Sequence, residues 1–282
     1  MRIVITGAKG QLGYELLPAC GRLGEVVGVD LPEWDLTRED AAERLAALAP
    51  DWVIHAAAAT DVDRCEREPA WAMAVNAGAT ARVAEACRRC GAGLVYVSTD
   101  YVFDGSKGSP YAETDLPAPR SEYGRSKLEG ERIVQRVAPR WVIARTAWLY
   151  GAHGKNFVKT ILQKACGCEP LKVVDDQVGS PTYAADLAGA LATVVERGLT
   201  GTYHLTNGGS CSWYEFTGEI LRQSRRTQVS LSPISTTALG RQAPRPAYSV
   251  LGNQAWLAVG NPPLRPWPEA LHAMLTAIGA AG

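Results

Sequence analysis

Two side chains near the middle of the chain are spaced for proton chemistry. Tyr123 and Lys127 stand at i and i+4 in Tyr123-Gly124-Arg125-Ser126-Lys127. On a helix that begins at Ser121 or Glu122 they share one face, about one turn apart. A free phenol titrates near about 10, and a neighbouring cation favours its anion, so the pair reads as a proton donor with a lowered pKa. Such a donor can protonate a carbonyl oxygen while hydride arrives at the carbon. The spacing alone is common on surface helices, so its meaning depends on what the rest of the chain brings to it. The run Val97-Ser98-Thr99-Asp100-Tyr101-Val102-Phe103-Asp104-Gly105 lies just upstream and carries a threonine and an aspartate out of an apolar segment.

The elements that must position this pair begin at the N-terminus. Arg2 to Thr6 is a short β-branched run, the pattern of a buried strand. It passes directly into Gly7-Ala8-Lys9-Gly10-Gln11-Leu12-Gly13 and an apolar-periodic stretch to Leu23. Glycines spaced G-x-x-G-x-x-G between strand and helix allow a tight turn, a close approach of backbone to a pyrophosphate, and close packing of helix on strand. The helix N-terminus beyond them offers free N–H groups and a favourable dipole to phosphates. Glu25 to Val29 is the next strand, and Asp30 ends it 17 residues past Gly13, where a carboxylate can hold adenosine ribose hydroxyls. That carboxylate disfavours a 2′-phosphate and leans the site towards NADH, while Lys9 and Arg38 soften the preference.

Trp34 to Thr37 reads as a loop into a helix capped by Thr37, with Asp40 in its first turn. Trp52 to His55 is a third strand, followed by small residues, Ala56 to Ala59 and Thr60, that let a ligand lie against the backbone. Pro69 to Arg89 reads as one long helix with an apolar stripe through Ala72, Val75, Ala79, Val83 and Ala86, and with Asn76 buried and bonded to nearby backbone. Leu94 to Val97 and Trp141 to Ala144 are the fourth and fifth strands, with the Tyr/Lys helix (Arg120 to Arg136) between them. This alternation implies an α/β fold, a doubly wound parallel Rossmann sheet with right-handed crossovers.

Beyond Tyr150 the rhythm loosens. Helices are expected at Asn156 to Ala165, at Tyr183 to Arg197 capped from Thr182, at Ser212 to Arg222 with Ser212 and Glu215 as a capping box, and at Glu269 to Ile278. Strands are expected at Leu171 to Val174 and Thr202 to Leu205, and residues 231 to 268 read as proline-rich loops. The division that follows is a dinucleotide-binding Rossmann domain over 1–150, with 183–205 returning to it. Residues 151–182 and 206–282 form mainly a smaller C-terminal substrate-binding lobe over the crevice.

Composition excludes several classes. Basic and acidic residues balance at 29 each, so nothing steers the chain to nucleic acid or to an anionic membrane. No run of about 18 apolar residues occurs, and the glycine-broken N-terminus does not read as a signal peptide, so a cytoplasmic protein is expected. Seven cysteines in a chain this long do not suggest a disulfide framework. Cys87/Cys90 and Cys166/Cys168 have no histidine near them and read as incidental thiols rather than zinc ligands. His55, His153, His204 and His272 are scattered and read as structural. Arg241 and Arg245 sit in a loop where a planar guanidinium suits a pyrophosphate or simply faces solvent.

Together these residues resemble the extended short-chain dehydrogenase/reductases, and within that family its dTDP-4-dehydrorhamnose reductase branch. The resemblance covers essentially the whole chain. It rests on the glycine turn, on Ser98 to Gly105, on Tyr123-Gly124-x-x-Lys127, and on Arg145-Thr146-x-Trp148-Leu149-Tyr150-Gly151. Asp176-Gln177-x-Gly179-x-Pro181-Thr182 and Arg245-Pro246-x-x-Ser249 complete it. It implies an enzyme that reduces the C4 keto group of a dTDP-linked 4-dehydro-sugar with NADPH or NADH, the last step of dTDP-rhamnose synthesis for cell-surface polysaccharide.

The resemblance also implies roles for single residues. Tyr123 becomes the catalytic acid, Lys127 its partner and a contact of the nicotinamide ribose, and Thr99 the residue that holds the substrate carbonyl. Asp100 and Trp148 are expected at the sugar. Gly7, Gly10, Gln11, Leu12 and Gly13 would surround the cofactor phosphates, Asp30, Asp35 and Leu36 its adenosine half, and Ala57, Ala58, Ala59 and Thr60 its middle. No metal ligand set is implied. The family default is a homodimer, some members hold magnesium at its interface, and Glu15 is the one carboxylate here that could correspond. Tyr101 after Asp100 replaces the glutamate of related dehydratases and argues against elimination chemistry. Two readings stay open beside the reductase. One is an epimerase of the same fold. The other is a non-catalytic NADP-binding regulatory subunit like the β subunit of methionine adenosyltransferase.

Overall fold

Short β-branched runs build a parallel sheet, and the apolar-periodic stretches between them become the helices that cover it. The structure, a computed structural model, describes residues 1–167 and 170–282, so Cys168 lies outside the described residues. Strand β1 (Arg2–Thr6) leads into α1 (Gln11–Gly21), β2 (Glu25–Val29), α2 (Ala41–Ala47) and β3 (Trp52–His55). Helices α3 (Val62–Arg67) and α4 (Pro69–Met73) run through a π-helical turn (Ala74–Gly78) into α5 (Ala79–Cys90). Then come β4 (Gly93–Thr99), a 3-10 turn (Asp100–Val102), α6 (Glu122–Val137) and β5 (Arg140–Thr146). The rest comprises β6 (Leu149–Tyr150), α7 (Phe157–Cys166), β7 (Leu171–Val174), β8 (Val178–Gly179), β9 (Thr182–Tyr183), α8 (Ala184–Glu196) and β10 (Gly201–His204). It closes with β11 (Cys211–Ser212), α9 (Trp213–Gln223), β12 (Leu231–Ile234), α10 (Thr236–Leu239), α11 (Gln254–Ala258) and α12 (Trp267–Ala277).

Six strands form one parallel sheet in the order β10-β5-β4-β3-β1-β2. The chain turns to one side of β1 for β2 and to the other for β3, so the order reverses between β1 and β3. Ligands of such sheets sit at the carboxyl ends of the strands at that reversal. Strand alternation decides which core each residue joins. Ile3, Ile5, Trp52 and Ile54 pack with Leu12 and Leu16 of α1 and with Leu187, Ala188 and Leu191 of α8. Val4, Val53, Leu94 and Tyr96 point the other way, against α2, α5 and α6. Each fully buried aliphatic side chain of this kind contributes about 1.5–3 kcal/mol, which fixes the sheet as a rigid floor. A third cluster, with Val158, Ile161, Phe216, Ile220, Leu271 and Met274, forms beneath α7, α9 and α12.

Four local expectations are corrected. The helix expected over Pro69 to Arg89 is interrupted by the π turn. There the Asn76 carbonyl accepts from Thr80 Oγ1 at 2.6 Å, while its amide side chain turns inwards to Ala59 and Ser126. The extra residue of a π turn re-aims one side chain, and here that is the buried Asn76. Thr37 caps nothing: its hydroxyl donates to Asp35 at 2.6 Å, and α2 starts only at Ala41. Thr182 likewise does not cap α8. It pairs within β9, and its hydroxyl is spent on Ser180 O. Residues 231–268, read as loops, contain β12, paired in parallel with β7, as well as α10 and α11. The capping box of Ser212 and Glu215 forms at the start of α9.

Candidate functional site

The carboxyl ends of β1, β3, β4 and β5 open into a cleft of about 640 Å³. At one end Gly7 takes φ +73°, a left-handed conformation that costs glycine little, and a Cβ there would stand 2.7 Å from Ala57 N. Gly13 is packed closer still, since its Cβ would fall 2.2 Å from Gly7 O. This turn delivers the N-terminus of α1 to the cleft, lined by Gly7, Gly10, Gln11, Leu12 and Gly13. Asp30 lies beside it, its carboxylate accepting from Lys9 N at 2.7 Å and from Leu31 N at 2.7 Å. Fixed by two backbone donors, it keeps lone pairs for ribose hydroxyls. Trp34, Asp35, Leu36 and Thr37 continue the wall.

Ala57, Ala58 and Thr60 line the middle of the cleft. Ala59 does not. It is buried, its N–H donates to Asn76 Oδ1 at 2.8 Å, and its carbonyl accepts from Asn76 Nδ2 at 3.1 Å, so its backbone faces away from a ligand.

At the other end stand Thr99, Asp100, Tyr101, Tyr123 and Lys127. Strand β4 carries Thr99 to its last position, in register with Thr146 of β5. Helix α6 is capped by Ser121, whose hydroxyl accepts from Gly124 N at 3.1 Å. The cap fixes the start of the helix and turns Tyr123 and Lys127 inwards together. Tyr123 packs against Ala59, Cys65 and Ala72, with Tyr101 edge-on at 5.4 Å.

Burial sets the charge state of both groups. Desolvation lifts the Tyr123 phenol above its ordinary 10, with the neighbouring Thr99 hydroxyl working the other way. Desolvation also lowers Lys127 to about 7, with Glu131 acting the other way. Lys127 is 2% exposed, donates Nζ to Val97 O at 2.8 Å, and lies 4.1 Å from the centre of the Tyr96 ring. The expected net lowering of the tyrosine pKa is therefore corrected. The ammonium is aimed at the β4 backbone and the Tyr96 face, and removal from water outweighs any help it gives the phenolate. A neutral Tyr123 is nonetheless the form that a general acid needs.

The Thr99 hydroxyl accepts from Tyr101 N at 3.2 Å and donates to Asp100 Oδ1 at 3.0 Å. A hydroxyl has one proton, so this one is directed at Asp100. Asp100 is 2% exposed, and burial raises its carboxyl to about 6, against the opposing influence of the Ser249 and Thr99 hydroxyls. Among the described residues, three lining atoms are buried without a hydrogen-bond partner: Asp100 Oδ2, Gln11 Oε1 and Thr146 Oγ1. Buried polar atoms are normally paired, so these three fit a polar ligand along the cleft.

Beneath the site, Arg145 and Glu131 pair through two hydrogen bonds of 2.9 and 2.7 Å, both side chains almost fully buried. Glu131 also accepts from Ser98 at 2.6 Å. His55 bonds Thr6 and Thr80, and His204 bonds Tyr111 O and Gly252 O. Burial holds both rings down to about 3.

Trp148 lines the cleft, at φ +46°. Trp213 stacks on it and was not read from the sequence. In the sequence it is only one residue of the helix that the Ser212/Glu215 capping box opens, and the apposition of α9 with the turn after β5 brings it to the cleft. Arg241 and Arg245 are both engaged with Asp63. Among the described residues no three His, Cys, Asp or Glu side chains converge as a metal site, so Glu15 stands without a ligand set. Also among the described residues, no helix is long and apolar enough to cross a membrane.

A parallel Rossmann sheet whose fourth strand ends in threonine and whose next helix turns Tyr-x-x-x-Lys inwards defines the class, an extended short-chain dehydrogenase/reductase. The chain belongs to the family described as RmlD substrate binding domain, whose model matches residues 1–279. It is 44% identical over 291 residues to a dTDP-4-dehydrorhamnose reductase of Streptomyces griseus, covering 100% of this chain and 95% of that protein. The crystal structure of a dTDP-4-dehydrorhamnose reductase from Clostridium acetobutylicum superposes with a TM-score of 0.96 at 41% identity, covering 99% and 100% of the two chains. That of Bacillus anthracis, in complex with NADP, does so at 0.95 and 38%, covering 98% and 99%.

Proposed function

We propose that this protein reduces the C4 keto group of dTDP-4-dehydro-L-rhamnose to give dTDP-L-rhamnose, with NADH or NADPH as reductant. One observation carries the reading. A glycine turn fit for a pyrophosphate and a Thr99/Tyr123/Lys127 group fit for a carbonyl occupy the two ends of one cleft. The names of the relatives agree with it.

The dinucleotide supplies hydride to C4 when bound. The protein's own residues do the rest. The α1 N-terminus and the Gly7–Gly13 turn receive the phosphates, and Asp30 receives the adenosine ribose. Tyr123, kept neutral by burial, gives its proton to the C4 oxygen as negative charge develops there. Thr99 fixes the phenol beside the carbonyl. Lys127, held on Val97 O, places its Nζ where a nicotinamide ribose hydroxyl can reach it. Trp148 offers an apolar face to the sugar, and Asp100 an acceptor for a sugar hydroxyl.

Asp30 inclines the site to NADH. Lys9, however, is an exposed cation tied, among the described residues, to Leu31 O and Glu33, and such surface pairs hold by about 0–1 kcal/mol. It is free to turn to a 2′-phosphate, so both cofactors are expected to serve, NADH the better. A homodimer is the family default, and sedimentation at equilibrium would test it.

The decisive assay mixes the protein, NADH or NADPH, and dTDP-4-dehydro-L-rhamnose, and follows loss of nicotinamide absorbance. Stoichiometric oxidation is expected. An epimerase takes hydride from the sugar and returns it, so its cofactor ends in the state in which it began, and a regulatory subunit leaves the cofactor alone; no net oxidation with either cofactor therefore refutes the reductase.

A further inference from the structure

A strap of chain, residues 241–249, crosses from the C-terminal part of the molecule to the rim of the cleft. Its far end is pinned by backbone. Val178 N donates to Ala247 O at 2.8 Å, Ser249 N donates to Val178 O at 2.8 Å, and Tyr248 N donates to Gly105 O at 3.2 Å. Its near end is held differently. The Asp63 carboxylate, in the first turn of α3, receives four hydrogen bonds from it. Arg245 Nη1 and Nη2 donate at 2.6 and 2.9 Å, Arg241 Nη1 at 3.0 Å, and Ala243 N at 3.3 Å.

The pair is not a surface ornament. The Arg245 and Asp63 side chains are 14% and 18% exposed, and the bidentate fork fixes the guanidinium plane. The charge of the guanidinium also reaches the neighbouring Tyr101 hydroxyl, where it works against the rise that burial imposes on that phenol. Tyr101 in turn stands edge-on to Tyr123, ring centroids 5.4 Å apart at 73°. A line of neighbouring groups thus runs from Asp63 through Arg245 and Tyr101 to the phenol that the proposed reaction uses. Arg245 is spent on protein and does not line the cleft as a phosphate ligand.

We infer that Asp63 is a positioning residue: by holding Arg245 it docks the strap and keeps Tyr101 locked edge-on against Tyr123. The inference rests on the reductase reading for its effect on turnover, and on the strap alone for its effect on docking.

The test uses Asp63→Asn and Tyr101→Phe, singly and combined, with three readouts. Small displacements of a reacting group cost large factors in rate, so each single variant is expected to lower kcat for the ketosugar by about tenfold or more. Cofactor affinity should stay within about twofold, since the glycine turn lies at the other end of the cleft. The double variant should be no slower than the slower single one, because both changes break the same line. Trypsin should cut after Arg241 about fivefold faster in Asp63→Asn, as an undocked strap opens locally.

Either single variant keeping kcat within about twofold of wild type overturns the inference, as do effects that multiply in the double variant, the result of a merely structural role. Should Asp63→Asn fail to fold, Arg245→Lys takes its place. It keeps the charge but loses the fork, and the same non-additivity with Tyr101→Phe is required. If wild type oxidises neither cofactor, the reductase reading fails by itself. Equal tryptic cleavage of wild type and variant then still overturns the docking.

Discussion

Trp148 and Trp213 stack face to face, ring centroids 3.5 Å apart and planes 6° from parallel. One comes from the turn after β5 and the other opens α9, so the contact joins the Rossmann sheet to the C-terminal helices. A Cβ on Gly179 would meet the Trp148 ring at 2.4 Å, which packs Trp148 from a further side. The indole that the sugar is proposed to touch is therefore held by its partner. Aromatic pairs contribute about 0.5–1.5 kcal/mol beyond area burial, so Trp213→Ala should raise KM for the nucleotide sugar by about tenfold. KM for the cofactor should hardly move. Steady-state kinetics with each substrate varied would check this, and an unchanged sugar KM would show that Trp213 does not support the sugar site.

Tyr123→Phe keeps the ring against Ala59, Cys65 and Ala72 and removes only the proton. Loss of a general acid typically costs about 10²–10⁴ in rate, so turnover should be nearly abolished. Cofactor affinity, read by nicotinamide fluorescence, should remain within a few-fold. Normal activity in this variant would refute the role given to Tyr123.

Much of this site was legible because its signals are local. A glycine triplet after a β-branched run, an aspartate at the end of the next strand, and Tyr-x-x-x-Lys behind a serine cap each define geometry within a few residues. What escaped was what depends on distant chain. Trp213 meets Trp148 only through the tertiary fold, and Asp63 meets Arg245 across 182 positions. The charge states escaped for a related reason. Spacing places Lys127 beside Tyr123, but burial decides what both groups do, and burial is a property of the whole core. The π turn at Asn76 was hidden because Ala72, Val75 and Ala79 keep helical spacing in the sequence, which carries no mark of the inserted residue.

Glu131 lies one further turn along the inward face of α6, paired with Arg145 in the floor beneath the site. Removing one partner of a buried pair leaves an uncompensated charge and typically costs about 3–5 kcal/mol. Glu131→Gln should therefore lower the unfolding free energy by that order, read by urea titration at neutral pH. Loss of less than about 1 kcal/mol would place the pair with ordinary surface ion pairs.

Asp100 gives the clearest dependence on pH. Its carboxyl is held up to about 6 in the folded chain against 3.8 unfolded, chiefly by burial. Between those values the folded state holds the proton that the unfolded state has lost. Stability from this group is thus full below 3.8 and is lost as pH rises through 6. Two pH units correspond to on the order of 2–3 kcal/mol. Asp100→Asn cannot ionise, so its stability relative to wild type should improve by that order between about pH 4 and about pH 6.5. Lys127 works in another window and with the opposite sign. Lowered to about 7 from 10.5, it lets stability rise with pH across that interval, above the range measured. His55 and His204, held down to about 3, titrate alike in both proteins and cancel in the difference. Urea unfolding of the two proteins at the two pH values is the measurement. A difference that does not change with pH would mean that Asp100 is already ionised throughout, with Thr99 and Ser249 outweighing burial.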